Sequence, residues 1–519
     1  MIKSRTKGGE YMIKSRTQYS MINVLTGAIA QVLVVLLGFI SRTAFIHFLP
    51  LEYLGIQGLF TNVLTVLSFA ELGIGEAMVY ALYKPVKEDN HIKICQLMQL
   101  YKKAYRFVAA VVFSLGLILS FFIDFLVNQK PDIPENFQLI FLFFVFNSAC
   151  SYLFSYKKSI LFVDQKQYIV TGCHQLFLMV QTVLQIGFLY FTHNYIIFLI
   201  IQIVCTILDN VGISFYVAQK YPYLNLTPTV DLDKKDEYTL FSNVKALAIS
   251  KISGVVSNSC TNIIISKISG LSLVGIVSNY ILIINAINGV IWAGLTGISG
   301  SLGNLNVDAS TLKKQQIFNQ LFLLSFWIYT CACVCLLNLL NPFIEIWLGS
   351  QFLIPKSVIF VMVWSIYISG VNYPVYSFRT TLGYFVQVQY VFFIGGILNI
   401  VISTIGGLYL GLLGIVLGTP LSRLLTSEIA DGYYVYTLGF HKSPIIYFRK
   451  YILYFLLYLL CCGISYFAIN LISMQGILGF SLKLIITLII VNLILLLAFI
   501  RNQNFQNLIH HIPKIKRLV

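Results

Sequence analysis

A lysine and two asparagines recur at helical spacing inside an otherwise oily run. Lys251, Gly254, Asn258 and Asn262 share one face, with Ser257 and Thr261 beside them. At about 1.5 Å per residue, Lys251 lies roughly 15 Å into that run, near the middle of a bilayer. An ionisable group there costs roughly 2.5–3.5 kcal/mol on insertion scales and usually faces a bundle interior or a wet cavity. Arg423 is as deep in a later run, just after GLLGIVLGTP. There Pro420 frees a backbone carbonyl, and Gly411, Gly414 and Gly418 make a helix easy to bend. Arg42, in GFISRTAF, lies nearer the end of the first run, where snorkelling and cavity lining both fit. Cationic side chains in a cavity offer charge-assisted hydrogen bonds to an anion, bidentate from arginine.

The acids sit apart from these bases. The stretch AELGIGEAMVYALYKP, Ala70 to Pro85, carries Glu71 and Glu76. Their spacing turns them about 140° apart on a helix, so they are not a catalytic carboxylate pair. Glu71 fits neutralising a cavity cation or carrying a coupling proton, and Glu76 fits locking the basic end of the helix; a static buried pair is the alternative. Glu428 or Asp431 fits pairing with Arg423, and Glu428 is a coupling or gating candidate. Lys245, Lys267 and Lys483 lie near run ends and read as snorkelling residues. The CACVC stretch invites a metal, but on a helix Cys333 points away from Cys331 and Cys335, which favours core packing. No catalytic constellation, metal ligand set or cofactor motif emerges, so an enzyme is not expected.

The elements that must position these residues follow from composition. Of 519 residues, 58% are hydrophobic and 10% charged, against roughly 25% charged in soluble domains. Apolar runs long enough to span recur throughout, and backbone polar groups in lipid must be satisfied internally. The fold class is therefore all-α, a polytopic membrane protein with about 14 transmembrane helices in two six-helix lobes plus two C-terminal helices. The second span is read at 54–82, the seventh at 241–266 and the twelfth at 410–436. A basic tail (1–20) precedes an N-lobe (21–218), a linker (219–240), a C-lobe (241–437), helices 13 and 14 (438–500) and a basic tail (501–519). YLGIQG at 53–58 and LVGIVS at 273–278 each open the second span of a lobe, a faint internal repeat of the kind secondary transporters carry.

The formal charge of +16 is spread over alternate connections rather than gathered on one patch, which argues against nucleic acid. The opposite connections are nearly free of Lys and Arg, Lys130 and Lys356 excepted. By the positive-inside rule both termini are cytoplasmic. MIKSRT occurs at 1–6 and again at 12–17 around KGGEY, whose Lys-Gly-Gly-Glu codons can carry a ribosome-binding sequence. Initiation at Met12 is the expectation, and the first span is too long for a cleaved signal peptide.

Several segments in order resemble the polysaccharide transporter family, the Wzx-type flippases of the multidrug/oligosaccharidyl-lipid/polysaccharide exporter superfamily. They are SRTAFIHFLPLEYLGIQGLFTNVLTVLSFAELGIGEAMVYALYKPVKEDN with KICQLMQLYKKAY, then GVVSNSCTNIIIS with LVGIVSNYILII, SLGNL, and LNIVISTIGGLYLGLLGIVLGTPLSRLL. The resemblance implies a bacterial inner-membrane flippase for an undecaprenyl-pyrophosphate-linked oligosaccharide in exopolysaccharide or capsule synthesis, working by alternating access. It also implies proton or sodium coupling and a polysaccharide polymerase partner. Its cavity cations map onto Arg42, Lys251 and Arg423. Many relatives read Thr-Asp-Asn where this chain has Cys260-Thr261-Asn262, so Glu71 must replace that Asp or the coupling differs. A multidrug exporter of the same superfamily is the nearer rival and a membrane-embedded polymerase the farther one. The latter usually presents a sizeable outer loop, which is missing here.

Overall fold

Where the described residues run apolar for long stretches, the chain is helical. The computed structural model describes residues 16–71, 74–127, 131–225, 260–308, 310–382, 384, 387–472, 474 and 476–510. The first half contains α1 (Arg16–Phe48), α2 (Leu51–Leu67), a 3-10 turn (Ser68–Glu71), α3 (Ile74–Lys87) and α4 (His91–Ser120). It continues with α5 (Phe137–Ser155), the short α6 (Lys158–Val163), α7 (Gln167–Thr192) and α8 (Tyr195–Lys220). After the described stretch 260–269 (α9) come α10 (Leu271–Asp308), α11 (Thr311–Leu348), α12 (Lys356–Val371) and α13 (Tyr373–Thr381). The chain then forms α14 (Gln389–Leu410), α15 (Leu412–Leu425), α16 (Ser427–Tyr434) with a π turn (Val435–Gly439), α17 (Ile445–Asn470), α18 (Gly476–Phe499) and α19 (Gln503–His510). Among the described residues there is no strand, and twelve helical spans are long and apolar enough to cross a membrane. The protein is an all-α, multi-pass membrane protein.

Burial runs inside out relative to a soluble protein. On α18, Leu478, Ile485, Ile489, Leu493 and Leu497 are exposed, while Gly479, Thr487, Val491, Leu495 and Phe499 face the bundle. Both sets repeat at helical spacing, so one face meets lipid and the other protein. Aromatic rings fill the interior of the second half. Phe326 and Tyr454 stack at 4.3 Å, and Phe318 meets Phe378, Tyr436 and Phe440 edge-on at 5.3–5.6 Å.

Two expected spans prove interrupted. The second, read as one helix over 54–82, breaks at Ser68–Glu71. The twelfth breaks at Thr426, whose φ of −128° and ψ of −87° leave the helical region. Its hydroxyl donates back to the Ser422 carbonyl at 2.6 Å, a local bond that competes with the helix. Of the glycines of GLLGIVLGTP, Gly411 makes the turn between α14 and α15 at a φ of 58°, and Gly414 and Gly418 serve close packing rather than bending. A Cβ on Gly414 would lie 1.9 Å from the Gly406 carbonyl oxygen, so α15 lies backbone against backbone on α14. A Cβ on Gly418 would meet the Ser403 hydroxyl and lie 2.9 Å from the Asn399 carbonyl oxygen. Lys84 and Pro85 lie within α3, which continues to Lys87.

The segments YLGIQG and LVGIVS pack on one another. A Cβ on Gly55 would sit 2.1 Å from the Leu271 carbonyl oxygen, and one on Gly275 would sit 3.1 Å from that of Leu51. Thus α2 and α10 touch at the end of the bundle away from the basic connections.

Candidate functional site

The interruption at Thr426 puts a charge on either side of a helix break. Arg423 lies in the last turn of α15 and Glu428 in the first turn of α16, so both flank a point of irregular backbone, which membrane proteins allow where backbone lines a cavity. That cavity holds about 680 Å³. Asn285, Asn288 and Trp292 of α10 line it opposite Ser369, Arg423 and Glu428. The Arg423 guanidinium donates through Nη1 to the Ser369 hydroxyl, and Glu428 lies beside Arg423 and the Asn372 amide. Glu428 is 7% exposed, and its Oε2 has no hydrogen-bond partner among the described residues.

One turn on, Asp431 pairs with Arg379 of α13 at 3.0 Å, both side chains almost fully buried. Tyr376 and Phe392 rings lie 5.3 and 5.0 Å from the Arg379 guanidinium. With all four groups ionised, the two cations and two acids cancel one another. Of the two acids expected to pair with Arg423, Asp431 is therefore committed elsewhere and Glu428 is the neighbour.

The other candidate residues lie apart. Arg42 reaches from α1 to α10, its Nη1 donating to the Ser278 hydroxyl at 3.0 Å, and is not among the residues lining the cavity. Glu71 ends the 3-10 turn and accepts from the Tyr105 hydroxyl at 3.4 Å, with Tyr152 beside it. Glu76 lies on α3, its side chain outside the described set. Asn262 is on α9 and half-buried, whereas Lys251 and Asn258 lie outside the described residues. Lys267 carries its charge over the Phe125 ring at 4.5 Å and to the Val127 carbonyl at 3.5 Å.

Two parts of the site were not anticipated. Asn285, Asn288 and Trp292 sit at i, i+3 and i+7, a polar face readable from spacing inside SNYILIINAINGVIW. Arg379 falls in the polar stretch SFRTT between apolar runs, and nothing in the local sequence marks it as a buried partner.

A second compartment adjoins the first. Val32 and Leu36 of α1, Ile287 and Val290 of α10, and Leu340 and Phe343 of α11 line a groove of about 580 Å³ with almost no polar surface. Along α10, residues 283, 286, 287 and 290 face this groove, while 285, 288, 289 and 292 face the polar cavity. One helix separates an oily compartment from a charged one.

No family model matches the chain, and no curated protein matches it in sequence. Solved structures match in fold. A lipid II flippase, MurJ, in an inward closed conformation superposes with a TM-score of 0.64 at 14% identity, covering 93% of this chain and 98% of that one. An inward-facing multidrug resistance MATE family transporter of the MOP superfamily gives 0.58 at 13% identity, covering 77% and 96%. A mutant form of the Vibrio cholerae MATE transporter VcmN gives 0.54 at 14% identity, covering 80% and 96%. Over most of its length this chain shares the fold of these multi-pass membrane proteins.

Proposed function

We propose that this chain is a flippase that turns an undecaprenyl-pyrophosphate-linked oligosaccharide from the inner to the outer leaflet of a bacterial cytoplasmic membrane, for exopolysaccharide or capsule synthesis. The reading rests on the two faces of α10. An amphiphile with an anionic, hydroxyl-rich head and a prenyl tail would place the head by Arg423, Asn285 and Asn288 and the tail in the apolar groove. Pyrophosphate cannot cross hydrocarbon unaided, and a guanidinium recognises it in bidentate fashion. Arg42, Lys251, Asn258 and Asn262 are further headgroup contacts on this reading. Both termini are cytoplasmic, and alternating access carries the head across. The fold shared with a lipid II flippase supports a lipid-linked cargo.

Glu428 supplies the coupling. Ionised, it neutralises Arg423; protonated, it leaves the arginine free for the anionic head, so proton binding and substrate binding favour one another. Glu71, on the broken second span, is a second coupling candidate.

The test is a reconstituted vesicle holding a fluorescent pyrophosphate-linked oligosaccharide on a prenyl chain, with an impermeant quencher outside. Protein-dependent turnover is expected, falling by about tenfold or more in Arg423→Ala and only partly in Arg423→Lys, since hydrogen bonds to charged groups contribute about 1.5–3 kcal/mol. The carboxylates in the cavity favour one other reading, a multidrug exporter for cationic solutes. Efflux of a cationic dye with no turnover of the lipid would decide for it.

A further inference from the structure

The face of the bundle away from the basic connections is poor in lysine, which makes Lys356 an exception. Lys483 lies about two turns into α18. Read alone, Lys483 is a snorkelling residue and Lys356 an isolated basic residue of a connection. The fold instead brings both into one pocket of about 330 Å³, between the last turns of α11 and α17 and the first turns of α12 and α18.

Three features set this pocket apart from two lysines that merely reach for water. First, no carboxylate pairs with either among the described residues. The Lys356 ammonium rests on Tyr466, 3.4 Å from its hydroxyl and 5.0 Å from the ring centroid. Second, Lys356 and Ser357 open α12, whose cap residue Pro355 offers its N–H groups no side-chain acceptor, so the positive end of a helix lies beside the lysines. Third, Asn338 is 9% exposed and lines the pocket. Its Nδ2 donates to the Ser465 hydroxyl at 3.0 Å, but its Oδ1 has no partner among the described residues. The Asn338 amide therefore adds a polar group to the pocket's inner end. Leu337, Ile359 and Phe360 form an apolar wall, and Phe467 and Leu471 nearby are more than two-thirds exposed, as lipid-facing residues are.

We propose that this pocket binds the headgroup of an anionic outer-leaflet phospholipid, such as phosphatidylglycerol. The phosphate lies between Lys356 and Lys483, and an acyl chain follows the apolar wall. The pocket shares no residue with the Arg423 cavity, so the inference does not depend on what that cavity carries.

The experiment titrates the purified full chain in detergent with dioleoyl phosphatidylglycerol or dioleoyl phosphatidylcholine and counts bound lipid by native mass spectrometry. Wild-type protein is expected to bind the glycerol lipid about tenfold more tightly. The preference should disappear in Lys356→Gln/Lys483→Gln and persist in Lys356→Arg/Lys483→Arg. Lys356→Gln alone, at an exposed helix end that tolerates it, should already lower the preference severalfold if the double variant does not fold. Equal binding of the two lipids to wild type, or a preference that survives in Lys356→Gln, overturns the site. Competition by inorganic phosphate at equal concentration overturns its assignment to a lipid.

Discussion

Arg379 and Asp431 show how a buried charge is held. Each is almost wholly removed from solvent, and they meet at 3.0 Å. Removing one partner strands the other, which costs about 3–5 kcal/mol. Asp431→Asn should therefore lower thermal stability in detergent by several degrees, whereas Arg379→Met/Asp431→Leu should recover most of the loss. A double variant no better than the single would show that the pair does more than compensate charge. Glu428 makes a sharper case, since its Oε2 is unpartnered among the described residues. Glu428→Gln fixes the neutral form and leaves Arg423 available at every pH. Substrate should bind at least as tightly as in wild type, while turnover loses its dependence on a pH gradient; dependence that persists would place coupling elsewhere. Arg423 and Glu428 were legible in the sequence because a charge deep in an apolar run is costly and calls for a reason. Their separation from Arg42 and Glu71 was not, since depth along a helix says nothing about which helix lies opposite.

Among the elements, the contact of α2 with α10 has the least slack. Gly55 and Gly275 bring two backbones together at the end of the bundle opposite the basic connections. A side chain on Gly55 has no room, because the nearest atom is a carbonyl oxygen rather than a flexible tip. Gly55→Leu should thus hold α2 off α10. In a background with native cysteines replaced, Ser278→Cys should react with an impermeant maleimide added outside severalfold faster when Gly55→Leu is present. Unchanged labelling would mean that this crossing does not seal the bundle. The Gly-Ile match between the two segments was visible in the sequence, but a match cannot say that its two halves touch. The glycines before Arg423 teach the converse. Read alone they suggest a bend; packed, Gly414 lets α15 lie on α14, while the break comes at Thr426, which no glycine marks.

For the whole molecule, orientation follows from charge. Reporter fusions after Lys166 and after Asn502 should be active as cytoplasmic reporters, and one at Met474 should be active as a periplasmic reporter. A reversed pattern would invert the proposed direction of transport. The division of labour across α10 belongs to this scale as well, because it needs α1, α11 and α18 on one side and α12, α15 and α16 on the other.

Composition and periodicity alone determined that the chain spans the membrane as helices, because hydrocarbon offers a backbone no partner outside its own helix. They also picked out Arg423 and Glu428, since burying a charge in oil carries a cost that a chain does not retain idly. Tertiary structure decided the rest: that Asp431 meets Arg379, that Lys356 and Lys483 line one pocket, and that α10 divides an oily groove from a charged cavity. A helix's spacing specifies which residues share a face; only packing specifies what that face meets.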